Sequence, residues 1–111
     1  MPLTAAQLAR MMDLSAVRTD VDLAEVHQLA ETAKRYRCVC AFVLPCYLPE
    51  LKSLLSDAPD VGVGAVAGFP SGANSTATKA AEARQQIDQG ASEVDMVINV
   101  GMLRSGRDRY V

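Results

Sequence analysis

No apolar run in this chain approaches the roughly 20 residues that a membrane-spanning helix needs. Its first residues, MPLTAAQLARMM, lack the charged start and apolar stretch of a secretory signal. Basic residues do not gather either: 11 Lys and Arg are interspersed with 13 Asp and Glu, for a net charge of −2. A patch for nucleic acid or an anionic membrane surface is therefore not expected. Metal ligands are scarce. His27 is the single histidine, and the three cysteines fall short of a four-ligand zinc set. Cys38 and Cys40 share one face of a strand-like segment, and Cys46 follows in a loop. An odd count with no second cluster argues against a disulfide framework. Internal repeats are absent, and no G-x-G-x-x-G follows a strand; GVGAVAG lies inside one. These absences lead us to expect a cytoplasmic chain that takes no metal or cofactor and binds neither nucleic acid nor membrane.

What is present is apolar and regularly spaced. Half of the 111 residues are hydrophobic, enough to bury a core. The length suits one small domain or a piece of a larger one. Thr4 and Gln7 have capping-box spacing ahead of a short helix carrying Leu8 and Met11. MMDLSAV reads as a brief strand. Residues 22–36 are the clearest helix: Asp22 and Glu25 cap it, and Leu23, Val26, Leu29, Ala30 and Ala33 form its apolar stripe. CVCAFVL, at 38–44, is a continuous apolar run. Pro45 and Pro49 bracket its end, and Pro49 suits the start of a helix over about 49–57 with Leu51, Leu54 and Leu55 inward. DAPD breaks that helix. Residues 61–68, VGVGAVAG, are a second buried run. Val61, Val63, Ala65 and Ala67 share one parity; Gly62, Gly64 and Gly68 share the other, and such glycines mark close approach. After the turn FPSGANS, an alanine-rich helix spans 76–89 and ends at Gly90. Residues 93–100 are a last strand, followed by a loop that has barely begun its next helix.

Strands alternate with helices, and the strands are apolar on both faces. That pattern means parallel strands covered by helices. Right-handed crossovers leave an open doubly wound sheet or an arc of a (β/α)8 barrel. GFPSGANS offers an anion cradle at a helix N-terminus, or a plain connecting loop, and it lacks the lysine of a P-loop. In EVDMVINVG, Val94, Met96, Ile98 and Val100 share one parity, which packs on helices. Glu93, Asp95, Val97 and Asn99 share the other, which faces a barrel interior, with Asn99 towards the carboxyl end where barrels carry their chemistry. A carboxylate buried there needs a cation, hydrogen-bond donors or water. Asp95 is thus either an acid/base or a strand-end carboxylate held by backbone N–H groups. Lys34 and Lys52 lie on helices and Lys79 opens one. Either Lys79 reaches Asp95 or its partner lies outside these residues.

EVDMVINVG together with GFPSGANSTATKAAEAR resembles the N-terminal half of the deoxyribose-phosphate aldolases, as do MDLSAV and the strand end Val43–Pro45. The resemblance spans roughly residues 8–110. It implies the first four βα units of a TIM barrel that needs no metal or cofactor. It also implies reversible cleavage of 2-deoxy-D-ribose 5-phosphate to glyceraldehyde 3-phosphate and acetaldehyde through a lysine Schiff base. Such chemistry requires an amine kept partly neutral and an acid/base that moves protons. Asp95 matches the family's proton donor and acceptor, Asp13 its supporting aspartate, and Ser15 a hydroxyl residue lining the site. Ser15 and Asn99 are the expected substrate contacts.

Two departures stand out. AFVLP places Phe42 and Leu44 where relatives carry Cys and a polar residue. The Schiff-base lysine, its partner lysine and the phosphate loops belong to later strands, beyond residue 111. Lys79 is expected to be a solvated helix lysine, and His27 a surface residue. The chain alone is expected to be inactive, and to pair with a C-terminal half or with its own copies through its open edges. The alternatives are a non-catalytic half-barrel assembly module and a different Schiff-base sugar-phosphate aldolase.

Overall fold

A computed structural model describes all 111 residues. Four parallel strands form one sheet: β1 Asp13–Ala16, β2 Cys40–Val43, β3 Gly62–Ala67 and β4 Glu93–Met96. They lie in sequence order, β1-β2-β3-β4. A doubly wound sheet reverses its order at a switch point, and this one does not. The sheet is an arc of a (β/α)8 barrel, and the sequence-level choice between the two layouts is settled by strand order.

The helices are α1 Ala5–Ala9, α2 Leu23–Tyr36, α3 Leu48–Leu54, α4 Thr76–Asp88 and α5 Val100–Arg104; a 3-10 turn, Pro45–Tyr47, leads into α3. The caps fall where the side chains demand them. Thr4–Gln7 and Asp22–Glu25 each close a reciprocal capping box. Pro49 sits in the first turn of α3, where a missing N–H costs nothing. Gly90 follows α4 with φ +97°.

The main core lies between sheet and helices. Val26, Ala30 and Ala33 of α2 meet Leu51 and Leu55 of the α3 segment, Ala16, Ala41 and Val43 of the sheet, and Val61 just ahead of β3. Leu48 and Leu51 are fully buried, each stabilising the fold by roughly 1.5–3 kcal/mol. At the amino ends of the strands, the Arg10 guanidinium donates from one nitrogen to the carbonyls of Arg37, Cys38 and Asp60, at 3.1, 3.0 and 2.7 Å.

Two expectations change. The strand read over 93–100 stops at Met96. Its partner β3 ends at Ala67, and Gly68 turns away at φ +64°, so the ladder has nothing beyond Val97 N–H, which donates to Ala67 O. Asn99 then caps α5: its Oδ1 accepts from Met102 N–H at 3.0 Å. The even parity of that segment is also not covered by helices. Met96, Ile98 and Val100 remain about half exposed.

Candidate active site

The sheet register puts chemistry on one face. Asp13, Cys40 and Gly62 lie in one row across successive strands; Ser15, Phe42, Gly64 and Glu93 lie in the next; Val66 pairs with Asp95. Neighbours in register point the same way, so these side chains share the concave surface. Cys40, Phe42 and Val66 form its small buried cluster. Gly64 is glycine for a local reason. A Cβ there would lie 2.6 Å from the Phe42 ring, which fills the space over the β3 backbone. A Cβ on Gly62 would likewise crowd the Cys40 sulfur, at 3.0 Å. The close approach expected from these glycines is made by side chains of β2.

A cavity of about 340 Å³ opens on this face, lined by Asp13, Ser15, Val17, Phe42, Val66, Phe69, Asp95, Met96 and Val97. Val17, Phe69 and Val97 follow the ends of β1, β3 and β4, so the cavity lies towards the carboxyl ends. It combines apolar walls with two carboxylates and one hydroxyl. Asp13, Ser15 and Asp95 are thus brought together. Asn99 is not part of the lining; its side chain is spent on the α5 cap. Phe42, which departs from the aldolase pattern, is a wall of the cavity and leaves no polar contact from β2 on it.

Asp95 is exposed on the open concave side rather than buried. None of the six ion pairs involves Asp95, Asp13 or Glu93, so no cation of this chain neutralises these carboxylates. Asp13, Cys40 and Glu93 bring potential ligand atoms within 4.8 Å of one another. Burial first, and then the carboxylates of Glu93, Asp13 and Asp95, push the Cys40 thiol up to about 12. It is therefore protonated at neutral pH.

Lys79 does not reach Asp95, nor is it solvated. It is 8% exposed, and its Nζ donates to the carbonyls of Gly72 and Val97 at 3.0 and 3.1 Å. Two further α4 side chains continue this row. Glu82 accepts from Gly68 N–H at 2.8 Å, and Gln86 donates to Val66 O at 2.8 Å. Glu82 and Gln86 went unnoticed in the sequence, and Lys79 was expected to be solvated, because the three look like a solvent-facing set. Their i, i+3, i+7 spacing on one helix face was the available signal. His27 is a surface residue, as expected, paired with Glu50 across α2 and α3 at 2.8 Å.

No family model matches the chain. Among curated proteins, the deoxyribose-phosphate aldolase of Klebsiella pneumoniae is 44% identical over 110 residues, covering 97% of this chain and 44% of that protein. The chain is a homologue of the deoxyribose-phosphate aldolases. The aldolase of Sinorhizobium medicae is 42% identical over 98% of this chain and 44% of its own length. Solved structures agree with the aldolase likeness. A Coccidioides immitis protein described as a candidate deoxyribose-phosphate aldolase superposes with TM-score 0.91 at 30% identity, over 98% of this chain and 43% of that one. The Aeropyrum pernix aldolase, described as tetrameric, gives 0.82 at 26% identity over 89% and 42%. The chain thus spans less than half the length of the aldolases it matches.

Proposed function

We propose that these residues form the N-terminal half of a (β/α)8 aldolase barrel. The complete protein cleaves 2-deoxy-D-ribose 5-phosphate, reversibly, to glyceraldehyde 3-phosphate and acetaldehyde. The observation that carries this reading is the meeting of Asp95, Asp13 and Ser15 around one apolar-walled cavity at the carboxyl ends of the strands. The aldolase homologues supply the reaction.

In this reading, a lysine from the rest of the barrel condenses with the sugar carbonyl. Asp95 shuttles the proton at the carbinolamine and enamine steps, and Asp13 supports it. Ser15 donates a hydrogen bond to substrate. Asp95 suits this role because the chain leaves its carboxylate free, with nothing to compete for it. Closure of the barrel would take it out of water, and an ammonium facing it would keep it ionised. No metal or organic cofactor enters the scheme. A cytoplasmic site and a homo-oligomeric assembly belong to the same proposal; three free thiols and the tetrameric Aeropyrum relative support them.

The test is the gene product carrying these residues, assayed at full length for acetaldehyde release from 2-deoxyribose 5-phosphate. Borohydride should trap a covalent adduct on a lysine beyond residue 111. Asp95→Asn should slow turnover by roughly 10²–10⁴ while the circular dichroism spectrum stays unchanged. An inactive wild-type protein would end the proposal, and unchanged turnover in Asp95→Asn would remove Asp95 from it.

A further inference from the structure

Lys79 is an anomaly on the face of α4 that packs against the sheet. Among the charged residues it alone is buried, and no carboxylate pairs with it. Burying an ammonium is costly unless fixed oxygen atoms replace its water. Here two do, and they come from different elements. Gly72 O belongs to the loop between β3 and α4; Val97 O belongs to the segment that leaves β4. The aliphatic stem is held as well, since it runs against Gly68, where an added Cβ would lie 2.5 Å from its Cδ. The ammonium thus joins the β3–α4 loop to the end of β4.

Both joined pieces reach the cavity. Phe69, one residue past Gly68, lines it from the loop side. Val97 lines it from the β4 side, two residues after Asp95. We infer that Lys79 is a positioning residue for the aldolase reaction: by bridging Gly72 O and Val97 O from behind the cavity, it sets where Asp95 stands relative to the Phe69 wall. It never touches substrate. The inference rests on the proposed aldolase reading for its chemistry, and on the two carbonyl contacts for its geometry. Misplacing a proton-transfer group by about 1 Å can cost up to about 10²-fold in rate, so losing the bridge should act on turnover more than on binding.

The experiment compares the full-length protein with Lys79→Met, which keeps the stem and loses the donors, and Lys79→Gln, which is too short to span both carbonyls. Both should lower kcat about tenfold or more per folded molecule, with KM changed less than about threefold. Amide exchange should quicken at Gly72 and Val97 in both, and not in α2. If kcat per folded molecule stays within about twofold of wild type, Lys79 is structural only and the inference fails. It fails equally if neither variant folds, because the fold then needs Lys79 before the reaction does. An inactive wild type would instead defeat the aldolase reading, and unchanged exchange at Gly72 and Val97 would still defeat this one.

Discussion

A carboxylate without a partner is the informative residue here. Asp95 was legible in the sequence because it interrupts an apolar strand, and its parity with Glu93 placed it correctly on the concave face. Its exposure was not legible, since a strand pattern reports which face a side chain takes and not whether that face is closed. Asn99 was misplaced for a related reason: period-2 reading continues through a strand end, whereas the backbone had already turned to be capped. Cysteine chemistry yields a prediction at this scale. In the native chain at neutral pH, Cys46 should react with a disulfide reagent while buried Cys38 and Cys40 stay silent until denaturant is added. Cys40 also carries a pH signature. Its folded value of about 12 lies above the ordinary 9.0, so the folded state holds the proton more tightly. The stabilisation is intact below about pH 9 and is lost as pH rises towards 12. Urea midpoints should therefore fall over that range in wild type more than in Cys40→Ala; parallel curves would contradict the assignment.

Elements were read more reliably where apolar spacing and caps agreed. The α2 helix, read as 22–36, is found at Leu23–Tyr36 with its expected capping box. The α4 helix shows why agreement on boundaries is not agreement on packing. It was read as alanine-rich and closed by Gly90, both true, yet it docks through Lys79, Glu82 and Gln86. Hydrophobic periodicity cannot find a face that binds carbonyls and an N–H group at the end of a strand. That docking makes Gly68 a sensitive joint. A valine there would need φ +64°, which β-branched residues resist, and would press on the Lys79 stem. Gly68→Val should lose roughly 1–3 kcal/mol or more of stability, read from the urea transition. An unchanged midpoint would mean that α4 and the loop shift freely.

For the whole molecule, the four-strand arc was foreseeable from the alternation of strands and helices; its barrel curvature needed the sequential strand order. Closure by two copies of this chain would face Asp13, Glu93 and Asp95 with their own duplicates. No cation stands on this face to offset them, so like charges oppose that assembly in a dry interior. A complement bearing inward ammonium groups suits the face better. Purified alone, the 111 residues should release no acetaldehyde from 2-deoxyribose 5-phosphate. In the proposed half-barrel, adding a complementary C-terminal aldolase half as a separate polypeptide should restore release; cleavage by the isolated chain would show that the essential lysine lies within it. The unpaired outer edge of β1 bears on biosynthesis. Each of these strands hydrogen-bonds to the one that follows it, so the arc can assemble in order as the nascent polypeptide leaves the ribosome. In the proposed complete barrel the first strand's other side pairs only with a segment made later, and that long-range joining is the slow, entropy-limited event in building the ring.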